Sequence, residues 1–176
     1  PTALIRLHGA EHIAIRDCRF VDSGGGGVRC ERHAVDNTIS HNAFANLGGS
    51  GVALVGHRPG RQDENHHNLI AGNVLSRIGR LLWHSSGILL CQSGRNTIGN
   101  NLLHNLPYCG ITLVSGREAA YRNPPDAKQP GKDGKGAAVL WDDIGACPAQ
   151  PRMRLGYLYC RYNTVEHNEI HHCMEF

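Results

Sequence analysis

Two tryptophans, Trp83 and Trp141, each lie beside groups able to bond sugar hydroxyls or move protons: His84 next to the first, Asp142 and Asp143 next to the second. Sugar sites pair an aromatic platform with polar groups, and glycosidic hydrolysis needs two carboxyls flanking the bond. On that chemistry Asp142, Asp143, His84 and His104 are the catalytic candidates, with Trp83, Trp141 and Tyr108 as substrate-binding candidates. Glu118, Glu166 and Glu175 are further carboxylates, and Glu166 is expected to face solvent. Each candidate has a plainer reading. A Trp can plug its loop against the scaffold, and a surface imidazole commonly has no role. Adjacent Asp142 and Asp143 suit calcium, or simply solvate a loop. No cofactor is required, and no acid pair has a spacing that by itself demands catalysis. The seven cysteines offer no CxxC pair and no zinc-type Cys/His spacing, so no metal centre is expected from them.

These residues sit on or between copies of one repeated phrase. Asn96-Thr97-Ile98-Gly99-Asn100-Asn101-Leu102-Leu103 leads to a strand opened by Gly110; similar phrases start at Asn37, Asn68 and Asn163, and a looser first copy contains Ile15, Cys18 and Phe20. The strand-opening glycines at 27, 51, 87 and 110 are 24, 36 and 23 residues apart. Alternating segments of four to six residues are too short and wrongly phased for helices. Such a unit, with occasional insertions, is one coil of a parallel β-helix. The expected fold is all-β, a right-handed parallel β-helix of roughly five coils. Its inward columns are Val28/Val52/Ile88/Ile111, with Cys30/Leu54/Leu90/Leu113 two places on, then Ile15/Ile39/Ile70/Ile98/Val165 and Phe20/Phe44/Leu75/Leu103/Ile170. Asn42, Asn73, Asn101 and Asn168 fall where each coil must bend and are expected to form a structural ladder, with Cys18 in their place in the first copy. A ladder is preferred to a binding surface because the position tracks the turn.

The length of 176 residues fits one domain, 1–176, which begins and ends in mid-coil and reads as a fragment of a longer β-helix. A net charge of +3 gives no argument for nucleic acid, and no apolar run is long enough for a transmembrane helix. Oligomeric state is not legible. Insertions carry function in solenoids. Three are expected: His57 to His67, Arg77 to Ser86, and a long loop region at 117–156 containing Trp141, Asp142 and Asp143. The outward row Arg29, Ala53, Leu89, Thr112 offers little to an elimination enzyme, which needs a basic residue beside calcium-binding acids.

The phrases Gly79-Arg80-Leu81-Leu82-Trp83-His84, His104-Asn105-Leu106-Pro107-Tyr108-Cys109-Gly110 and Asn168-Glu169-Ile170-His171-His172 resemble the parallel β-helix repeat proteins of the pectate-lyase-like superfamily. They are most similar to the bacterial β-helical glycoside hydrolases of α-fucosidase and xylanase type. The resemblance covers nearly all the chain outside 117–156. It implies a carbohydrate-active protein with a polysaccharide or glycan partner, located outside the cell, in the periplasm or on the cell surface. A glycoside hydrolase is the first expectation. A carbohydrate-binding or adhesion β-helix, or a polysaccharide lyase or epimerase, is the alternative. Relatives carry Asp after the His where this chain has Asn105, so no carboxylate role transfers there.

Overall fold

A computed structural model describes residues 2–56, 63–115, 121–122, 139–140 and 159–174. The described residues wind through five coils, each contributing a strand to each of three sheets, and in the third coil the two-residue strand Asn65–His66 also joins the first sheet. The first coil is β1 (Ala3–Glu11), β2 (Ala14–Arg16) and β3 (Arg19–Ser23); the second is β4 (Gly26–Val35), β5 (Thr38–Ser40) and β6 (Ala43–Leu47). The third is β7 (Val52–Val55), β8 (Asn65–His66), β9 (Leu69–Ala71) and β10 (Val74–Ile78); the fourth is β11 (Ile88–Cys91), β12 (Thr97–Gly99) and β13 (Leu102–Leu106). The fifth holds β14 (Ile111–Val114), the small pair β15 (Tyr121–Arg122) and β16 (Val139–Leu140), then β17 (Thr164–Glu166) and β18 (Glu169–Cys173). The first sheet runs β1-β4-β7-β11-β14, the second β2-β5-β9-β12-β17 and the third β3-β6-β10-β13-β18. All neighbours within them are parallel. This is a parallel β-helix.

The core follows from like stacking on like. Ile15, Ile39, Ile70, Ile98 and Val165 are successive register partners, as are Phe20, Phe44, Leu75, Leu103 and Ile170. The rings of Phe20 and Phe44 stack at 4.8 Å, the spacing of neighbouring strands. Burial pushes the Cys30 thiol up to about 12, so this cysteine is a small inert core residue. Leu113, Val165 and Ile170, expected inward, are exposed, because no further described strand covers the last one of each sheet.

Two corners of each coil share one device. The residue before the turn adopts the left-handed conformation, and from the second coil onward the next is an Asn that turns its amide inward, whereas Ile13 and Cys18 of the first coil are exposed. At the first-to-second sheet corner the left-handed residues are His12, Asp36, His67, Arg95 and Tyr162; at the second-to-third corner they are Asp17, His41, Gly72, Asn100 and His167. The expected ladder occupies the second of these corners. Nδ2 of Asn42 donates to Oδ1 of Asn73 at 3.0 Å, and Asn73 and Asn101 donate likewise to the next coil at 2.9 Å each. The same oxygens accept the backbone N–H one coil below, and Cys18 uses its own N–H to bond Asn42. A second ladder, which the sequence reading missed, runs through Asn37, Asn68, Asn96 and Asn163. Both corners therefore satisfy buried backbone groups with side-chain amides.

Two expected insertions are narrower than their sequences suggest. Arg77 and Ile78 belong to β10, where Ile78 pairs Leu47 and is buried, so the second insertion starts at Gly79. The first returns at β8, whose fully buried Asn65 donates to the carbonyls of Cys30 and Arg32 and accepts from Ser93. A polar composition hid a core residue there. Among the described residues no helix is long and apolar enough to cross a membrane.

Candidate functional site

The third corner, leading from the third sheet back to the first, carries no Asn ladder. Neighbouring coils meet there backbone to backbone: Gly27 donates to Ser50, Val52 to Gly87 and Ile88 to Gly110 at 2.9 to 3.0 Å. Space is the reason for glycine at 48, where a Cβ would lie 2.1 Å from the Gly24 carbonyl oxygen. In the third coil the corner expands into a loop. Gly79, at φ +83°, turns the chain out of β10. The N–H groups of Arg80, Leu81 and Leu82 then donate to the carbonyls of Leu47 and Gly48 at 2.8 to 3.2 Å, pinning the loop to the coil beneath.

That loop walls a groove of about 720 Å³ over the outer face of the first sheet. The floor is the outward row Arg29, Ala53, Leu89 and Thr112, in register across four strands. His84, Ser86 and Tyr108 stand along one side and the Gly24–Gly26 backbone along the other end. Ser86 and Thr112 hydroxyls lie 2.5 Å apart, and His84 meets Tyr108 edge-on at 5.5 Å. Arg29 pairs with Glu31, which Arg6 also holds; these two hydrogen-bonded guanidinium groups bring the Glu31 carboxyl down to about 2. The groove thus offers hydroxyl, imidazole, phenol and guanidinium groups over an apolar strip, in the size range of small-molecule sites.

The expected site residues divide. His84 and Tyr108 come together in this groove. Trp83 packs its ring at 3.6 Å from His84 but faces the other side of the loop, 55% exposed, into a second hollow with Arg77, Arg80, Asn105, Pro107 and His172. His104 joins neither hollow; it stacks on His171 at 5.3 Å on the third sheet. His84 and His104 are not one constellation. Glu166 is solvent-exposed, as its place in the repeat predicts. Trp141, Asp142, Asp143, Glu118 and Glu175 lie outside the described residues. Among the described residues no carboxylate lines either hollow, and no three His, Cys, Asp or Glu side chains gather to hold a metal. Arg29, Ser86 and Thr112 are groove residues that sequence reasoning did not pick out. The row containing Arg29 and Thr112 was visible as outward-facing, but nothing in the sequence says that a loop folds over it.

No curated protein and no solved structure matches the chain. The family model described as the right-handed beta helix region matches residues 2–123, from β1 past β14, which includes every copy of the repeated phrase except the last, at Asn163. With three stacked parallel sheets wound from those repeats, the chain belongs to the right-handed beta helix family.

Proposed function

We propose that this chain is the β-helix segment of a carbohydrate-active protein and that it holds a glycan in the groove over its first sheet. The groove itself carries the reading: an open trough floored by Arg29, Ala53, Leu89 and Thr112 and edged by His84, Ser86 and Tyr108. Sugars present apolar C–H faces and many hydroxyls, and such a surface meets both. The finer reading is a glycoside hydrolase. Hydrolysis would need two carboxyls reaching the trough, and Asp142 and Asp143 are the pair we assign to that role, with calcium as the alternative use of the same acids. A polysaccharide lyase or a purely binding β-helix would use the same trough without that pair. A secreted, periplasmic or cell-surface location goes with a polymeric glycan.

The test is titration calorimetry of the 176-residue chain with neutral plant and bacterial oligosaccharides, beside an assay for released sugar. His84→Ala with Tyr108→Ala is expected to weaken binding about tenfold, from the loss of one aromatic and one polar contact. Sugar release lost in Asp142→Asn or Asp143→Asn supports the hydrolase. Unsaturated products absorbing in the ultraviolet mean a lyase, and binding without products means a binding module. If no neutral glycan binds, or the double variant binds as well as the parent, the groove reading is wrong.

A further inference from the structure

We propose that the second hollow, beyond Trp83, is a separate binding site for an oxyanion group (sulfate, phosphate or carboxylate) carried on a sugar ring. The hollow holds about 510 Å³ and is lined by Arg77, Arg80, Trp83, Asn105, Pro107 and His172. Its distinguishing feature is that two guanidinium groups, Arg77 and Arg80, meet at one hollow whose described lining holds no carboxylate. Arg6, Arg29 and Arg95 elsewhere on the helix each pair with a carboxylate; the exposed Arg16, Arg19 and Arg32 pair with none among the described residues, but they line neither hollow. Arg77 and Arg80 pair with none among the described residues, although both are exposed. Exposed guanidinium groups beside an open hollow suit bidentate capture of an oxyanion. The Trp83 ring offers a flat face for the group that carries it.

The row that carries Arg77 brings no acid to the hollow either. Asp22, Asn46, Arg77, Asn105 and His172 occupy one position in successive coils, all left-handed with φ between 49° and 55°. Asn and Asp tolerate that conformation, whereas Arg takes it less readily. The acid of the row, Asp22, accepts a hydrogen bond from Asn46 at 2.9 Å, two coils from Arg77. At the hollow itself the row reads Arg77, Asn105, His172, without an acid. Arg80 stands on the pinned loop, its N–H 3.0 Å from the Leu47 carbonyl, so its backbone is already fixed. Arg32 and Arg95 take the same left-handed conformation away from the hollow, so it is the convergence of Arg77 and Arg80 on one hollow, not backbone cost, that carries the site.

The site rests on the glycan reading only for the ring; inorganic sulfate probes the anion pocket without it. The full chain is titrated at low ionic strength with sodium sulfate, inorganic phosphate, glucose 6-sulfate, glucose 6-phosphate, glucuronate and neutral glucose. Arg77→Asn keeps a residue suited to the left-handed position, and Arg80→Gln leaves the loop backbone bonds intact, so both variants are expected to fold. Unchanged thermal unfolding verifies it. The double variant is expected to bind sulfate at least about tenfold more weakly, from the loss of charge-assisted hydrogen bonds. The sugar esters or glucuronate should bind more tightly than inorganic sulfate, and Trp83→Ala should remove that difference; which of them binds best identifies the anion. No sulfate or phosphate binding at low salt, or binding unchanged in the double variant, overturns the site. Anion binding with the ring adding nothing overturns the sugar part. Loss of neutral-glycan binding in the His84 and Tyr108 variants bears on the groove alone, so the two readings fail separately.

Discussion

From the second coil onward two corners of each coil are closed by asparagine amides and the third by backbone, and the hollows are walled at the third. The difference is mechanical. An amide ladder needs the same side chain at one position in successive coils and ends only where a coil contributes its N–H alone, as Ile13 and Cys18 do in the first coil. Glycine corners make their contacts through carbonyl and N–H alone, so the chain between β10 and β11 can leave, form the Gly79–Ser86 loop and return. Insertions between the first and second sheets obey the same logic: they leave after β7 and β14 and are over before Asn68 and Asn163 take their places in the ladder. Variation is allowed wherever the ladders are not.

Substitutions at the two kinds of corner should separate sharply. Asn101→Leu removes bonds to Asn73, Asn168 and the Ile70 carbonyl and leaves buried partners unpaired, an expected loss of about 3–5 kcal/mol in urea unfolding. A loss under about 1 kcal/mol would mean the ladder is ornamental. Gly51→Ala probes the glycine corner, where a Cβ would meet Leu75 at 2.5 Å and the Gly87 carbonyl oxygen at 2.9 Å. The expected cost is about 1–3 kcal/mol through overpacking. A third measurement concerns Glu31, whose folded value of about 2 lies below its ordinary 4.5 because Arg29 and Arg6 bond the carboxylate. A lowered folded pKa contributes stability above the unfolded value and loses it as pH falls toward 2. Glu31→Gln should therefore remove about 1 kcal/mol of the acid limb of a stability–pH profile, allowing for solvent screening. Smallest of all, His84→Ala on the loop should move the unfolding midpoint by less than about 0.5 kcal/mol while altering glycan binding.

The repeat made the fold legible because a β-helix writes its pitch into the sequence: Ile15, Ile39, Ile70, Ile98 and Val165 stand at the same place in each phrase, and the register pairs them in that order. The first asparagines were visible too, yet only the second set was read as a ladder. Both sets sit after a left-handed residue, which no residue-type pattern announces when that residue is His, Asp, Arg or Tyr. The site was less legible. His84 and Trp83 are adjacent in sequence and belong to different hollows, because the two side chains leave the loop on opposite sides. His104 and His84 looked like one set only because spacing along the chain does not report which sheet a residue faces.

The asparagine pair between the last two coils has a bearing on how the molecule assembles. Asn68 and Asn96 are 28 residues apart, whereas Asn96 and Asn163 are 67 apart. Closing the longer loop costs only about 0.8 kcal/mol more by the logarithmic dependence on length. That is small beside the ladder bonds it permits, but it falls on one coil alone. Coils one to four can zip by successive short closures, each templated on its neighbour. The strands after the long excursion must search farther before docking. The fifth turn is therefore expected to form last during folding and to open first in hydrogen exchange, which would make it the kinetic gate of the solenoid.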